Sequence, residues 1–366
     1  MHTLMVYSEA GGVAKTTTAV SLAMSWAEQG RQVVLIDLDP RAAATKWVDV
    51  EPTEPGLHIG AVIGNPDPTG WIQDLAVPSG WHENLRVVPS DRSLSHQEAD
   101  RADHAHLRLR MALSGLQADL VVIDCPNRQG GPLTQNAFTA SDGVIYAARP
   151  TSDGCDGVHG ARQSVAAFKQ SMALLGAADR LTEVGIVVSD YRDHITPKDQ
   201  TVAVEELRET GLLLTPLVPA RSIVPKARLA CDWLGRYEKG EPVATAYADL
   251  AAAISEGSLH EREAVRTRPE PASTATQAHP GPPHPGSRSG DPRSTGNDLG
   301  PGRWVCAPGA AWGADRGPER ASARSDPRRG ASRGRHEPGN AQPGSSHRGP
   351  GPRAPDELTG APGRGV

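Results

Sequence analysis

The residues best suited to chemistry form a glycine-containing loop near the start of the chain, between an apolar run and a helical pattern. In such a loop, successive backbone N–H groups point inward and bind phosphate oxygens, and the helix N-terminus adds partial positive charge. Lys15 would reach the β- and γ-phosphates, and the Thr16 hydroxyl would ligate Mg²⁺. The predicted cofactor-binding residues are Gly11, Gly12, Val13, Ala14, Lys15, Thr16 and Thr17.

Three carboxylates form the second chemical group. Asp37 and Asp39 follow the apolar run Val33–Ile36, and Asp124 follows the apolar run Leu120–Ile123. A carboxylate at a strand end downstream of a phosphate loop is the Walker B arrangement, in which it reaches Mg²⁺. Taken singly, the Asp-Cys-Pro and Asp-Pro sequences are also turn chemistry, so each carboxylate alone has a structural alternative.

Alternating apolar runs and helical patterns are expected to position these groups. They predict an α/β fold with a doubly wound and mostly parallel sheet. Together with the phosphate loop, this predicts a fold of the P-loop NTPase type. Ligands of such sheets bind beyond the carboxyl ends of the strands, where the loop and all three carboxylates fall. The predicted strands are Leu4–Ser8, Val33–Ile36, Leu57–Ile63, Leu85–Val88, Leu120–Ile123, Gly143–Ala147, Val184–Ser189 and Leu212–Leu217; the predicted helices are Thr16–Gln29, Leu107–Leu116, Val158–Leu175, Val202–Thr210, Pro225–Leu234 and Val243–Ile254.

The composition changes near Gly257. The last Lys is Lys239 and the last Ile is Ile254, and the remainder is dominated by Gly, Pro, Ala, Arg, Ser and His. Such a segment cannot bury enough apolar surface to offset its chain entropy. We therefore predict one domain over residues 1–257 and a disordered tail over residues 258–366, either a non-functional extension or a weakly cationic arm.

The chain offers little support for a secreted, membrane or zinc protein. Its four cysteines show no Cys-x-x-Cys spacing, so reduced thiols are expected. No apolar run approaches the ~20 residues of a membrane span, and the N-terminus has no secretory pattern. We expect a cytoplasmic protein with no membrane partner.

The motifs together resemble the ParA/MinD family of partition and positioning ATPases. The loop resembles the family's deviant Walker A motif, Asp37-Leu38-Asp39-Pro40 its switch I, and Ile123-Asp124-Cys125-Pro126 its Walker B segment. The likeness covers residues 3 to about 255. It implies ATP and Mg²⁺ as cofactors, catalytic roles for Lys15, Asp37 and Asp39, metal contacts from Thr16, Asp37 and Asp124, and an adenine contact at Pro219.

The loop departs from the family pattern at three positions. The family's signature lysine, which crosses to the partner subunit's nucleotide, is Ala10, and its third glycine is Ala14. Glu9 adds a negative charge unless it points away from the phosphates. A glycine is expected at position 14 if φ is positive there, since Ala would cost about 1 kcal/mol or more. We therefore predict slow turnover, weak nucleotide binding or a different cationic contact, for which Arg41 is one candidate.

The resemblance also implies partners. The family forms an ATP-dependent homodimer and binds a ParB-like centromere-binding protein. It also binds DNA without sequence preference, and the corresponding residues here are Arg221, Lys226 and Arg228. These partners together imply a location on the nucleoid. A solvated surface with scattered charges is the alternative for the three cations. The alternative for the whole chain is a non-hydrolysing scaffold or regulator that uses ATP as a conformational switch.

Overall fold

The computed structural model describes residues 1–177 and 180–266. They form a seven-stranded sheet with helices on both faces, which confirms the predicted fold class. The strands are β1 (His2–Tyr7), β2 (Val33–Asp37), β3 (Val77–Pro78), β4 (Leu85–Val88), β5 (Leu120–Asp124), β6 (Gly143–Ala148) and β7 (Thr182–Val188). The helices are α1 (Lys15–Glu28), α2 (Ala43–Val48), α3 (Ile59–Gly64), α4 (Ile72–Leu75), α5 (Arg108–Ala112), α6 (Pro132–Ala140), α7 (Ser152–Leu174), α8 (Lys198–Glu209), α9 (Ile223–Leu229) and α10 (Glu241–Arg266), with short 3-10 turns between some of them.

The strand order is β3-β4-β2-β5-β1-β6-β7, and every pairing is parallel except that of β3 with β4. The central strands β2, β5 and β1 are therefore buried on both faces, as their continuous apolar sequences predict. Alternate residues of β1 belong to the two cores: Met5 and Tyr7 to one, Leu4 and Val6 to the other. This arrangement brings the carboxyl ends of β1, β2 and β5 to one edge.

One predicted strand is a helix. Residues Leu57–Ile63 contain the start of α3, whose N-terminus is capped by the His58 side chain, because Nδ1 accepts the Gly60 N–H at 3.0 Å. A short apolar run does not distinguish a buried strand from a buried helix turn, and the cap decides in favour of the helix.

The last predicted strand is also wrong. Residues Leu212–Leu217 run beside β7, but form only an isolated bridge between Leu213 and Ile186. The Ile186 N–H donates to Leu212 O at 2.7 Å, and its carbonyl accepts the Leu214 N–H at 2.9 Å. This segment therefore adds no eighth strand to the sheet.

The end of the predicted domain falls within α10, which continues across Gly257 to Arg266. Most of the predicted tail lies outside the described residues. No helix within the described ranges is long and apolar enough to cross a membrane.

Candidate nucleotide site

The glycine loop connects β1 to α1 and leaves the first turn of α1 without a cap. Ala14 occupies the N-cap position, no side chain caps the helix, and no acidic residue lies in the first turn. The first N–H groups of α1 thus lack intrahelical partners and are free to bind an anion. A cavity of about 580 Å³ opens at this point.

Two residues of the loop have left-handed backbone conformations. Gly12 has φ 71° and Ala14 has φ 68°. The value at Ala14 answers the question raised by the sequence: the position requires the conformation that glycine adopts freely, and here an alanine adopts it. The cost is about 1–2 kcal/mol.

Lys15 lies in the loop with its ammonium already engaged. Nζ donates to Ala10 O at 2.8 Å and to Asn127 Oδ1 at 3.1 Å. Burial lowers the pKa of Lys15, while the nearby Asp124 carboxylate opposes that shift. Asn127 follows β5 and also limits the space beside Gly11, where a Cβ would lie 2.9 Å from Asn127 Nδ2. The glycine loop and the segment that follows β5, both predicted to lie at this edge of the sheet, are therefore in contact.

Asp37 is buried and fully satisfied by donors of its own chain. Oδ2 accepts the Thr45 N–H at 2.8 Å and the Thr45 hydroxyl at 2.7 Å, and Oδ1 accepts the Asp39 N–H at 3.1 Å. Burial raises the pKa of Asp37 to about 6, although these hydrogen bonds work against the shift. Asp37 thus fixes the loop that carries Asp39, whose side chain lines the cavity.

Asp124 has different surroundings. It is buried, and neither carboxylate oxygen has a hydrogen-bond partner among the described residues. Burial and the neighbouring Asp37 raise the pKa of Asp124 well above its usual range. The Thr16 hydroxyl lies close enough to work against this shift, but it does not have the geometry of a hydrogen bond to either oxygen. Without donors, the ionised form of a buried carboxyl is costly unless a cation pairs with it. Mg²⁺ meets that requirement, so Asp124 and Thr16 fit a magnesium ion brought in with nucleotide phosphates.

Glu9 is directed away from the cavity. Its Oε1 accepts the Ser164 hydroxyl at 2.6 Å and the Tyr7 hydroxyl at 3.1 Å. Its Oε2 faces α7, since a Cβ at Gly160 would lie 2.4 Å from it. The Glu9 carboxylate therefore accepts hydrogen bonds from neutral hydroxyls beside α7 and does not face the cavity.

Ala10 lies against the same helix. A Cβ built on Gly157 would lie 2.4 Å from Ala10 Cβ and 2.8 Å from Ala10 N. The Glu9 N–H also donates to Gly157 O at 3.2 Å. The start of the loop thus rests directly on the backbone of α7, and this close approach requires glycine.

A second cavity, of about 500 Å³, adjoins the first and contains the predicted adenine contact Pro219. Ser189 also lines it, but the Ser189 hydroxyl is paired at 2.9 Å with the Tyr247 hydroxyl, which in turn lies 3.2 Å from Thr18 Oγ1. Tyr247 belongs to α10, so the closing helix forms part of the site. Ala14, Thr17, Arg149 and Arg228 line both cavities.

The three cations predicted to bind DNA differ in their surroundings. Arg221 lines the second cavity and forms a two-pronged ion pair with Asp193, at 2.9 and 2.7 Å. Arg228 borders both cavities. Lys226 is exposed on α9 and borders neither.

Sequence reasoning missed four residues of the site: Asn127, Arg149, Thr45 as a support of Asp37, and Tyr247. Asn127 directly follows the Walker B segment, and Thr45 lies five residues after the end of the switch I segment. Within the described ranges, no three His, Cys, Asp or Glu side chains are grouped to hold a metal ion by themselves.

Comparison with known proteins adds family evidence. Residues 1–174 match the model of an AAA domain family. The chain is 29% identical over 248 residues to the chromosome-partitioning ATPase Soj of Thermus thermophilus, covering 68% of this chain and 92% of that protein. It is 36% identical over 146 residues to the chromosome partitioning protein ParA of Myxococcus xanthus, covering 39% of this chain and only 50% of that relative's length.

Two solved structures are similar. Apo McdA of Cyanothece superposes with a TM-score of 0.60 at 22% identity, over 70% of this chain and 99% of that one, which supports the fold. Cobyrinic acid a,c-diamide synthase of Mycobacterium smegmatis, with a bound ATP analogue and magnesium, superposes with a TM-score of 0.58 at 25% identity, over 72% of this chain and 97% of that one.

Proposed function

We propose that this chain, which belongs to the ParA/MinD type of P-loop proteins, binds ATP with Mg²⁺ and hydrolyses it slowly in the service of DNA partition. The observation that carries this proposal is the buried Asp124 carboxylate without a donor, beside the Thr16 hydroxyl and the uncapped start of α1. An anion-binding helix terminus next to an unneutralised carboxylate is an arrangement suited to a magnesium nucleotide.

The residues have separate roles in this proposal. Thr16 and Asp124 hold Mg²⁺, Asp37 supports its surroundings by fixing the switch loop, and Lys15 contacts the terminal phosphates. The ion, when bound, neutralises charge on the phosphate oxygens. Asp39 orients the attacking water, because its side chain lines the cavity while its backbone N–H is anchored on Asp37.

Slow turnover is supported by two features of the loop. Ala10 carries no charge and packs on α7, so it supplies no cation to a nucleotide in either subunit. Ala14 holds a strained conformation. A charge-assisted hydrogen bond contributes about 1.5–3 kcal/mol, so its loss from the transition state would slow hydrolysis by about tenfold or more.

ATP hydrolysis by the full chain tests the proposal. Phosphate release is measured with and without DNA and a ParB-like protein, for the wild type, Lys15→Ala and Asp39→Ala. We expect both variants to lose activity by about 10²-fold or more, Lys15→Ala through phosphate contacts and Asp39→Ala through water positioning. Lys198→Ala, which removes an exposed lysine elsewhere, should keep full activity.

The alternative is an ATP-dependent switch that does not hydrolyse, which the strained Ala14 and the uncharged Ala10 favour. Binding without hydrolysis under all of these conditions would support that alternative. Absence of ATP binding would contradict both.

Dimerisation and DNA binding complete the proposal. ATP is expected to convert a monomer to a dimer, measured by light scattering with Asp39→Ala to prevent turnover. DNA binding is expected to be independent of sequence and to weaken steeply with salt. Lys226 is the predicted DNA contact with the freest surroundings, and Lys226→Gln should reduce both affinity and salt dependence. Association with DNA would place the protein on the nucleoid in the cytoplasm.

A further inference from the structure

The two adjoining cavities define the path of a nucleotide. Lys15, Thr16 and Asp39 line the first, and Ser189, Pro219 and Tyr247 line the second. If phosphates occupy the first cavity and the base the second, as in the proposed function on which this inference rests, the ribose and the α-phosphate must cross the junction between them.

Two arginines stand at that junction. Arg149 is opposed by Asp190, with Nε 3.4 Å from the carboxylate. Arg228 is exposed on α9, and its guanidinium has no carboxylate or hydrogen-bond partner within the described part of the chain. Its charge is thus uncompensated at the point where an anion would pass.

We infer that Arg228 contacts the α-phosphate of the nucleotide from within the same subunit and supplies there the positive charge that Ala10 lacks. Arg228 is therefore a nucleotide-binding residue and not primarily a DNA contact. Guanidinium groups suit this role because their planar fork matches phosphate oxygens. A contact at the α-phosphate acts equally on ATP and ADP, unlike one at the γ-phosphate.

Titration calorimetry of the full chain with Mg²⁺–ATP and with Mg²⁺–ADP tests the inference, without DNA and without turnover as a readout. Arg228→Gln is expected to weaken both nucleotides by the same factor, about tenfold for a contact of ~1.4 kcal/mol. Lys239→Gln, which removes an exposed charge outside both cavities, should change neither. The difference in nucleotide affinity between wild type and Arg228→Gln should become smaller as salt is raised from about 50 mM to about 300 mM, because salt screens the charge of an exposed arginine.

Three outcomes would overturn the inference: a loss no larger than that of Lys239→Gln, a loss confined to ATP, or a difference in affinity that salt does not change. The Lys15→Ala variant distinguishes failure of the inference about Arg228 from failure of the proposed function. If wild type binds ATP and Lys15→Ala does not, the nucleotide site stands whatever Arg228 does. If wild type binds neither nucleotide, the proposed function itself fails.

Discussion

Asp37 and Asp124 lie directly opposite each other at the ends of the adjacent parallel strands β2 and β5, yet only one carboxylate is satisfied. Asp37 accepts three hydrogen bonds from Thr45 and Asp39. Asp124, equally buried, accepts none from the described residues. The pair thus divides two tasks: Asp37 builds the switch loop, and Asp124 remains available for a cation.

Asp124→Asn tests this division through stability. In the nucleotide-free protein, burial beside Asp37 opposes ionisation of the Asp124 carboxyl. Replacing this carboxyl with a neutral amide should therefore raise the stability of the nucleotide-free protein by about 1 kcal/mol at neutral pH. With Mg²⁺–ATP present, we expect the variant to gain less stability from the ligand than the wild type does. At about 100 times Kd, Mg²⁺–ATP adds about 2.7 kcal/mol to the wild type, and tenfold weaker binding would leave about 1.4 kcal/mol.

Thermal unfolding with and without Mg²⁺–ATP measures both effects. Asp74→Asn, an exposed carboxylate away from the cavity, should retain the full gain from ligand. An Asp124→Asn variant with undiminished ligand stabilisation would show that this carboxylate does not serve the metal.

Ala14→Gly tests the strain in the loop. Glycine adopts φ 68° without the steric cost that alanine bears, so the variant should be more stable by about 0.5–1 kcal/mol, even after the greater chain entropy of glycine is counted. Urea denaturation measures the change. Ala166→Gly, at an exposed position in the interior of α7, should instead lose about 1 kcal/mol. Equal losses at both positions would contradict the assigned strain.

Gly157→Ala tests the contact between α7 and the loop. The new methyl group would lie 2.4 Å from Ala10 Cβ, with backbone also in the way, so the loop must shift. We expect a loss of about 1–3 kcal/mol in stability, typical of an overpacked site, together with weaker ATP binding. Gly80→Ala is the matched control, since a Cβ there meets nothing within 4 Å. If Gly157→Ala bound ATP as tightly as Gly80→Ala, the helix would not position the loop.

The sequence predicted which residues meet at the edge of the sheet, for a physical reason. Asp37 and Asp124 each follow a continuous apolar run, and parallel strands bring such ends together whatever the connections do. Local sequence patterns predicted less where a strand and a helix share the same pattern. The run Leu57–Ile63 has the pattern of a strand, but it contains the start of a helix. Helix α7 begins at Ser152, earlier than predicted, because its first turns contain three glycines that pack closely on other segments and weaken the helical pattern: Gly154, Gly157 and Gly160.

Other site residues were beyond reach of local reasoning. Asn127, Arg149 and Tyr247 take part only because separate segments meet in the folded chain. Arg228 was predicted to bind DNA from its charge and from the family resemblance, since the sequence does not show that α9 borders both cavities. Such roles depend on distance in space, which spacing along the chain does not encode.

Asp142 gives a prediction for acid stability away from the site. Burial alone would raise its pKa, but the His2 side chain, the Thr3 N–H at 2.9 Å and Arg180 at 3.2 Å hold the pKa of this carboxyl well below its usual range. A carboxylate with a depressed folded pKa adds stability above its unfolded pKa of about 3.9, and that stability is lost as pH falls toward the folded value. Asp142→Asn should therefore unfold more easily than wild type by about 1–2 kcal/mol near pH 7, and the gap should close as the pH is lowered below about 4. Urea denaturation over this pH range measures the gap, with the exposed Asp249→Asn as the control that should show none. A gap for Asp142→Asn that stays constant down to about pH 2 would mean that the stabilisation does not come from the ionised carboxylate.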